Sequence, residues 1–204
     1  MKITEKTILI ADTHYGENGI DKWQKHRKKL EKLNKLSFFE LCNVAMLTKA
    51  ISSDSTEVLH LGDYQEKAQE KYSAPITLEL YLLKGNHDTS SDSLYKYLGL
   101  NVIKPKNNLF YQIATVNNIK IMFTHYPLFD NCEYDKKAKF YPQIKELEEI
   151  YLKESCNLNI HGHTHHRSSA FENGFNVGID QTGLDLMNVG EVIKSWKKRI
   201  IDNT

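Results

Sequence analysis

Five short apolar runs in this chain each stop abruptly on an acid, an amide or a histidine, and that repeated ending constrains the fold more than any other feature. Thr7-Ile8-Leu9-Ile10-Ala11 runs into Asp12-Thr13-His14, and Glu57 to Leu61 runs into Gly62-Asp63. Ile76 to Leu83 delivers Gly85-Asn86-His87-Asp88, Ile119 to Thr124 delivers His125, and Leu158-Asn159-Ile160 runs into His161-Gly162-His163-Thr164-His165-His166. Short apolar runs of this kind, several rich in β-branched residues, read as buried strands. Side chains two apart on an extended segment point the same way, so Asp12 and His14 can present an oxygen and a nitrogen to one point. In open α/β sheets polar sites collect beyond the carboxyl ends of the strands. Each gap between endings has room for a return element. An α/β chain with one composite site at its strand ends is therefore expected.

The other segments fit between these strands. Glu17 to Asp21 reads as loop. Lys22 to Leu36 is strongly basic, with Trp23, Leu30 and Leu33 on one helical stripe, and reads as an amphipathic helix with a solvated basic face, His26 lying on its surface. Its alternative is a positive rim that attracts a phosphorylated or polynucleotide substrate. Ser37 reads as the N-cap of a helix reaching about Ile51, with apolar positions Phe38, Leu41, Cys42, Val44, Ala45, Leu47 and Ile51. A loop with a helical turn follows from Tyr64 to Ser73. Ser90 to Leu98 fits a short helix ended by Gly99. Phe110 to Val116 and Ile119 to Thr124 form a hairpin through Asn117-Asn118, residues that tolerate positive φ. Helices are expected over Phe140 to Cys156 and Val189 to Ile201. A further hairpin is expected between Ser169–Phe171 and Phe175–Val177.

At 204 residues the chain suits a single domain spanning 1–204. Its formal net charge of +1 gives no global pull toward nucleic acid or membrane. No apolar run approaches the ~18 residues of a membrane span, and Met1 to Ile10 lacks the pattern of a signal peptide. Cys42, Cys132 and Cys156 are far apart and form no Cys-x-x-Cys pair, so neither a disulfide framework nor a zinc ribbon is suggested. A reducing, cytoplasmic setting is expected, with no membrane and no obligate protein partner.

The donor set at the strand ends is carboxylate, imidazole and one amide, without thiolate. That chemistry suits manganese, iron, zinc or nickel ions. The series Asp12-x-His14, Gly62-Asp63, Gly85-Asn86-His87-Asp88, His125 and Gly162-His163-x-His165 resembles the calcineurin-like metallophosphoesterase family, with all five blocks of that family's pattern in order. Leu61-Gly62-Asp63-Tyr64, His125-Tyr126-Pro127-Leu128 and Asn176-Val177-Gly178-Ile179-Asp180 are similar to its small bacterial and phage-type members.

The resemblance implies a four-layer α/β/β/α sandwich with two packed mixed β-sheets. It implies two divalent metal ions, manganese first among the candidates. Asp12, His14 and His165 would hold one, Asn86, His125 and His163 the other, and Asp63 would bridge them, offsetting part of the repulsion between neighbouring cations. A metal-bridging hydroxide would attack the phosphorus of a phosphate-ester substrate, a nucleotide or nucleic-acid fragment among the options. His87 would stabilise the phosphoryl group or protonate the leaving oxygen. Asp88 would fix the tautomer and orientation of His87. Small members that keep a histidine at this position often act on diesters. The other readings are a phosphomonoesterase, a nucleotide pyrophosphohydrolase, or a non-catalytic interaction scaffold of the same fold.

One departure is visible. Related members often continue the first motif as His-Phe-Gly-His, where this chain has His14-Tyr15-Gly16-Glu17. His60, His161 and His166 are expected to be structural or to support the ligands. Asp180 and Asp185 read as caps or turn residues.

Overall fold

The computed structural model describes residues 1–17, 25–67, 69–130 and 132–202. Lys22, Trp23 and most of the expected loop before them lie outside these residues. The described strands are β1 (Ile8–Ile10), β2 (Glu57–His60), β3 (Glu79–Leu82), β4 (Leu100–Val102), β5 (Tyr111–Val116), β6 (Ile119–Thr124), β7 (Leu158–His161), β8 (Gly174–Asn176) and β9 (Met187–Asn188). The helices are α1 (Lys25–Asn34), α2 (Phe38–Ser53), α3 (Asp92–Tyr97), α4 (Glu133–Lys136), α5 (Tyr141–Lys153), α6 (Ile179–Thr182) and α7 (Val189–Asp202).

Two mixed sheets result. The first has the order β4-β3-β2-β1-β9, with β1 to β4 parallel and β9 antiparallel at its edge. The second has the order β5-β6-β7-β8, its β5–β6 hairpin antiparallel and the rest parallel. Strands buried on both faces need apolar residues at every position, and β1 shows why. Ile8 and Ile10 join the cluster under α2 and α3, while Leu9 and Ala11 join Leu59, Ile121, Phe123 and Ile160 between the sheets. A third cluster packs Met122 against Ile144, Leu147 and Tyr151 of α5. Helix, sheet, sheet, helix is thus the order of layers, as expected. Each fully buried Leu or Ile here contributes about 1.5–3 kcal/mol relative to exposure. Helix α7 enters the inter-sheet core through Val189, Val192, Ile193 and Trp196.

Local chemistry sets the element ends. Ser37 and Glu40 form a capping box on α2, and Ser91 caps α3 before Gly99 turns at φ +85°. Asn117 and Asn118 both take positive φ, the geometry of a tight hairpin turn.

Four expectations need correction. The third strand begins at Glu79 rather than Ile76, because a turn closed by Leu78 N–H on the Pro75 carbonyl precedes it and leaves Ile76 fully exposed. The second hairpin does not form. A turn closed by Gly174 N–H on Phe171 O instead feeds β8 parallel onto the open edge of β7, where the Arg199 guanidinium holds the Glu172 and Gly174 carbonyls. On α2 the core side is Leu41, Cys42, Met46 and Ala50, whereas Val44, Leu47 and Ile51 are exposed. On α1 Leu33 is exposed, and the buried residue is Arg27.

Candidate metal centre

All five suspect segments lie just past the carboxyl ends of β1, β2, β3, β6 and β7, and the two sheets bring those ends together. Beyond the strands the β1 and β2 loops continue to pair, through Asp12 N–H to Gly62 O at 3.1 Å and His14 N–H to Asp63 O at 2.9 Å. Ala11 also bridges to Gly178 just beyond β8, which joins the sheets at this point. Asp12, His14, Asp63, His163 and His165 all adopt positive φ, a conformation that non-glycine residues hold only when their surroundings enforce it. Gly162 and Gly178 are glycines for contact reasons: a Cβ at either would press on Asp12 Oδ2, at 2.9 and 2.5 Å.

Ligand-type atoms converge. Asp12, His14 and Asp63 offer three within 4.8 Å of one another, and so do Asp63, His125 and His163. Asp63 Oδ2 lies 3.5 Å from His14 Nε2 and 3.2 Å from His125 Nε2. Asn86 Oδ1 lies 3.1 Å and His163 Nδ1 3.2 Å from that same His125 nitrogen. His165 stacks on His14 with ring centroids 5.0 Å apart.

What each imidazole does with its other nitrogen is the telling feature. His14 Nδ1 lies 2.5 Å from Glu17 Oε2, His125 Nδ1 2.9 Å from the Leu61 carbonyl, His163 Nε2 3.2 Å from Asp135 Oδ1, and His165 Nδ1 2.8 Å from Asp180 Oδ2. A carbonyl or an ionised carboxylate can only accept, so those nitrogens carry the protons. The opposite nitrogens of His14 and His125 face Asp63, where a cation can take the place of a proton, the arrangement that metal-binding histidines show. Asp12 Oδ2 and His14 Nε2 are buried without a hydrogen-bond partner. Buried polar atoms left this way carry a penalty that a divalent cation would remove. The donor set fits such ions.

Electrostatics agree. Burial works against charge on Asp63, yet His125 and His14 hold its carboxyl well below the usual range. Burial likewise opposes charge on His125, but Asp63 and Asp12 pull it up to about 9, doing for a proton what they can do for a cation. Burial above all, with the neighbouring imidazoles, takes His60 and His161 down to about 3, so both are neutral. His60 donates from Nε2 to Thr13 Oγ1 at 3.0 Å, bracing the first motif from beneath.

Three residues take places other than those expected. Asp88 does not orient His87. Its Oδ2 accepts from Asp63 N–H and Gly85 N–H at 2.7 and 2.9 Å. Its Oδ1 accepts from Tyr64 N–H, Gln65 N–H and the Tyr95 hydroxyl at 2.9, 3.2 and 3.3 Å. It therefore ties the β2 and β3 loops together, while His87 Nδ1 faces Glu17 Oε1 at 3.3 Å. Asp180 is no simple cap. Fully buried, it takes Arg27 Nε and His26 Nε2 on Oδ1, both at 2.8 Å, and Arg27 Nη2 and His165 Nδ1 on Oδ2. Burial opposes its charge, but His165 and Arg27 depress its pKa strongly. Arg27 is not on a solvated face. It also donates to the Thr13 and Asp12 carbonyls at 2.8 and 2.7 Å and lies over the Phe38 ring.

The acceptors Glu17, Asp135 and Asp180 were invisible as a group in the sequence. Asp180 had one available signal, its place at the end of the Asn176–Asp180 stretch; Arg27 had another, as the lone arginine in a lysine-rich run. His166 is exposed.

A cavity of about 420 Å³ opens beside Asn86, lined among others by Phe110, Tyr126, Lys139 and Phe140. No helix among the described residues is long and apolar enough to cross a membrane.

A model of the calcineurin-like phosphoesterase superfamily domain matches residues 6–201. No curated protein matches the chain. Among solved structures, a protein of unknown function from Aquifex aeolicus aligns with a TM-score of 0.69 and 21% identity, over 93% of this chain and 98% of that one. That likeness is one of fold. A novel archaeal phosphodiesterase aligns at a TM-score of 0.40 and 13% identity, over 84% of this chain and 81% of that one. The nuclease MPE of Pseudomonas putida aligns at 0.40 and 15%, over 79% and 62%. Both are too distant to speak for this chain's substrate.

Proposed function

Because the chain belongs to the calcineurin-like phosphoesterase superfamily, we propose that its strand-end cleft is a binuclear, metal-dependent phosphoesterase site that hydrolyses diesters ahead of monoesters. The observation that carries this reading is the set of four imidazoles, each with one nitrogen committed to an acceptor, with His14 and His125 turning the other toward Asp63 at 3.5 and 3.2 Å. Asp12, His14 and His165 would hold one cation and Asn86, His125 and His163 the other, with Asp63 shared. Manganese is the first candidate. Bound there, two divalent ions supply Lewis acidity toward phosphoryl oxygens and a water acidic enough to ionise near neutral pH.

The chain's own residues do the rest. The His87 side chain is 38% exposed, more than those of His14, His125, His163 and His165. With Nδ1 turned to Glu17, whose carboxylate favours the doubly protonated ring, its Nε2–H is the group left to donate to a phosphoryl oxygen or to a departing alkoxide. His87 N–H donates to Asp63 Oδ1 at 2.9 Å, which sets the position of that carboxylate relative to the imidazole. Asp88 holds both loops in place through its five accepted hydrogen bonds. The preference for diesters rests on the resemblance carried by Gly85-Asn86-His87-Asp88.

A panel of diesters, monoesters, cyclic nucleotides and short nucleic acids, assayed with manganese, tests the reading. Bis(p-nitrophenyl) phosphate should turn over faster than p-nitrophenyl phosphate, and chelation should stop both. His87→Ala should lower turnover with metal content unchanged. Metal-loaded protein that cleaves neither ester would return the scaffold reading.

A further inference from the structure

Glu17 stands where members of the family this chain resembles often have a second histidine, and its carboxylate does two things at once. Oε2 accepts from His14 Nδ1 at 2.5 Å, and Oε1 faces His87 Nδ1 at 3.3 Å. The two rings meet edge to face with centroids 5.0 Å apart. Glu17 is well held for the purpose. Its N–H donates to the His14 carbonyl at 3.2 Å. Gly16 before it turns at φ +72°, and a Cβ there would lie 2.5 Å from the Tyr72 ring, so that ring backs the turn. The Glu17 side chain is only 17% exposed. Burial raises its pKa, but the contacts with His14 and His87 bring it down to about 2.

Resting on the phosphoesterase reading above, we propose that Glu17 is a positioning residue that couples the candidate ligand His14 to the candidate proton donor His87. One rigid carboxylate orients both rings: His14 turns Nε2 to Asp63, and His87, held at Nδ1, is left with Nε2 as its remaining donor. It takes over the orienting role that Asp88, with both oxygens already occupied, cannot fill. A histidine at this position could not do this. An imidazole has at most one acceptor nitrogen, whereas two N–H donors converge here. A glutamine could serve one of them through its single oxygen.

Glu17→Gln, nearly identical in shape, is the test, with Glu17→Asp as a second variant should the first fold poorly. Calorimetric titration with manganese should show one of two sites weakened about 10–100-fold. On bis(p-nitrophenyl) phosphate kcat should fall about 10-fold or more with KM little changed, and further on a diester with an alkoxide leaving group, where proton donation matters more. The decisive comparison adds the substitution to His87→Ala. There Glu17→Gln should still weaken manganese but cost much less in kcat than it does alone, since one of its two targets is gone. Full additivity of the two kcat losses would overturn the coupling. So would wild-type affinity and turnover in Glu17→Gln, with the phosphoesterase reading left standing by an inactive His87→Ala. Wild-type turnover in His87→Ala would remove that assignment of His87 and the coupling with it.

Discussion

The two halves of the candidate centre use the same ligand types but are braced differently. Around Asp12, His14 and His165 the supporting groups are charged: Glu17, three residues from His14, and Asp180, fifteen from His165, with the buried Arg27 behind it. Around Asn86, His125 and His163 one support is a main-chain carbonyl, Leu61 O, and the other is Asp135 on the short helix α4. The first half is an electrostatic relay whose members depend on one another. In the second, each brace serves one ring. The lesson is that similar ligand sets can differ in how much of the fold they recruit.

The sharpest way to break the comparison is to remove what the halves share. Asp63→Asn should strip both cations and reduce turnover by roughly 1000-fold or more, the scale of losing a central charge in such a site. Elemental analysis showing full occupancy would contradict the bridging assignment. Next come the braces. Asp180→Ala and Asp135→Ala should each weaken cation binding at their own half by about 10–100-fold. Only Asp180→Ala should also cost about 3–5 kcal/mol in urea unfolding, because it strands a buried guanidinium. Equal losses of stability in the two variants would erase the distinction. The smallest effect concerns the histidines beneath the site. His60 and His161 are held neutral by burial, with pKa values of about 3 against an ordinary 6.5. Above pH 6.5 neither favours the unfolded chain. Below it the unfolded state binds the extra protons, so metal-free protein should lose about 1.4 kcal/mol per pH unit per histidine as pH falls toward 3. Asp88, raised to about 6, works in the opposite sense, so the test is a difference: urea melts at pH 7, 6 and 5 whose pH dependence is unchanged in His60→Gln would contradict this.

Much of the site was legible because strands impose a rule. A run buried on both faces must be apolar throughout, so the residue that breaks it marks the strand end, and Asp12, Asp63, Asn86, His125 and His163 all break runs in this way. The layer order followed from the resemblance. The braces obey no such rule. Arg27 and Asp180 meet across 153 positions, and nothing in either local sequence says which charge is destined for burial. Lysine-rich surroundings made Arg27 look like one more solvated charge. Asp88 misled for the opposite reason: adjacency to His87 suggested contact, but the tight turn sends its carboxylate back to the N–H groups of the preceding loop. The missed hairpin had a similar cause, since the open edge of β7 outcompeted a local partner.

The junction of the sheets at Ala11 and Gly178 has one more consequence. Asp12, His14, Asp63 and Asn86 follow strands of the first sheet, whereas His125, His163 and His165 follow strands of the second. Under the proposed division each cation would draw ligands from both. It would then act as a clasp across the sandwich, resisting shear of one sheet over the other, and the free energy of binding it would be added to the stability of the whole fold rather than of one loop.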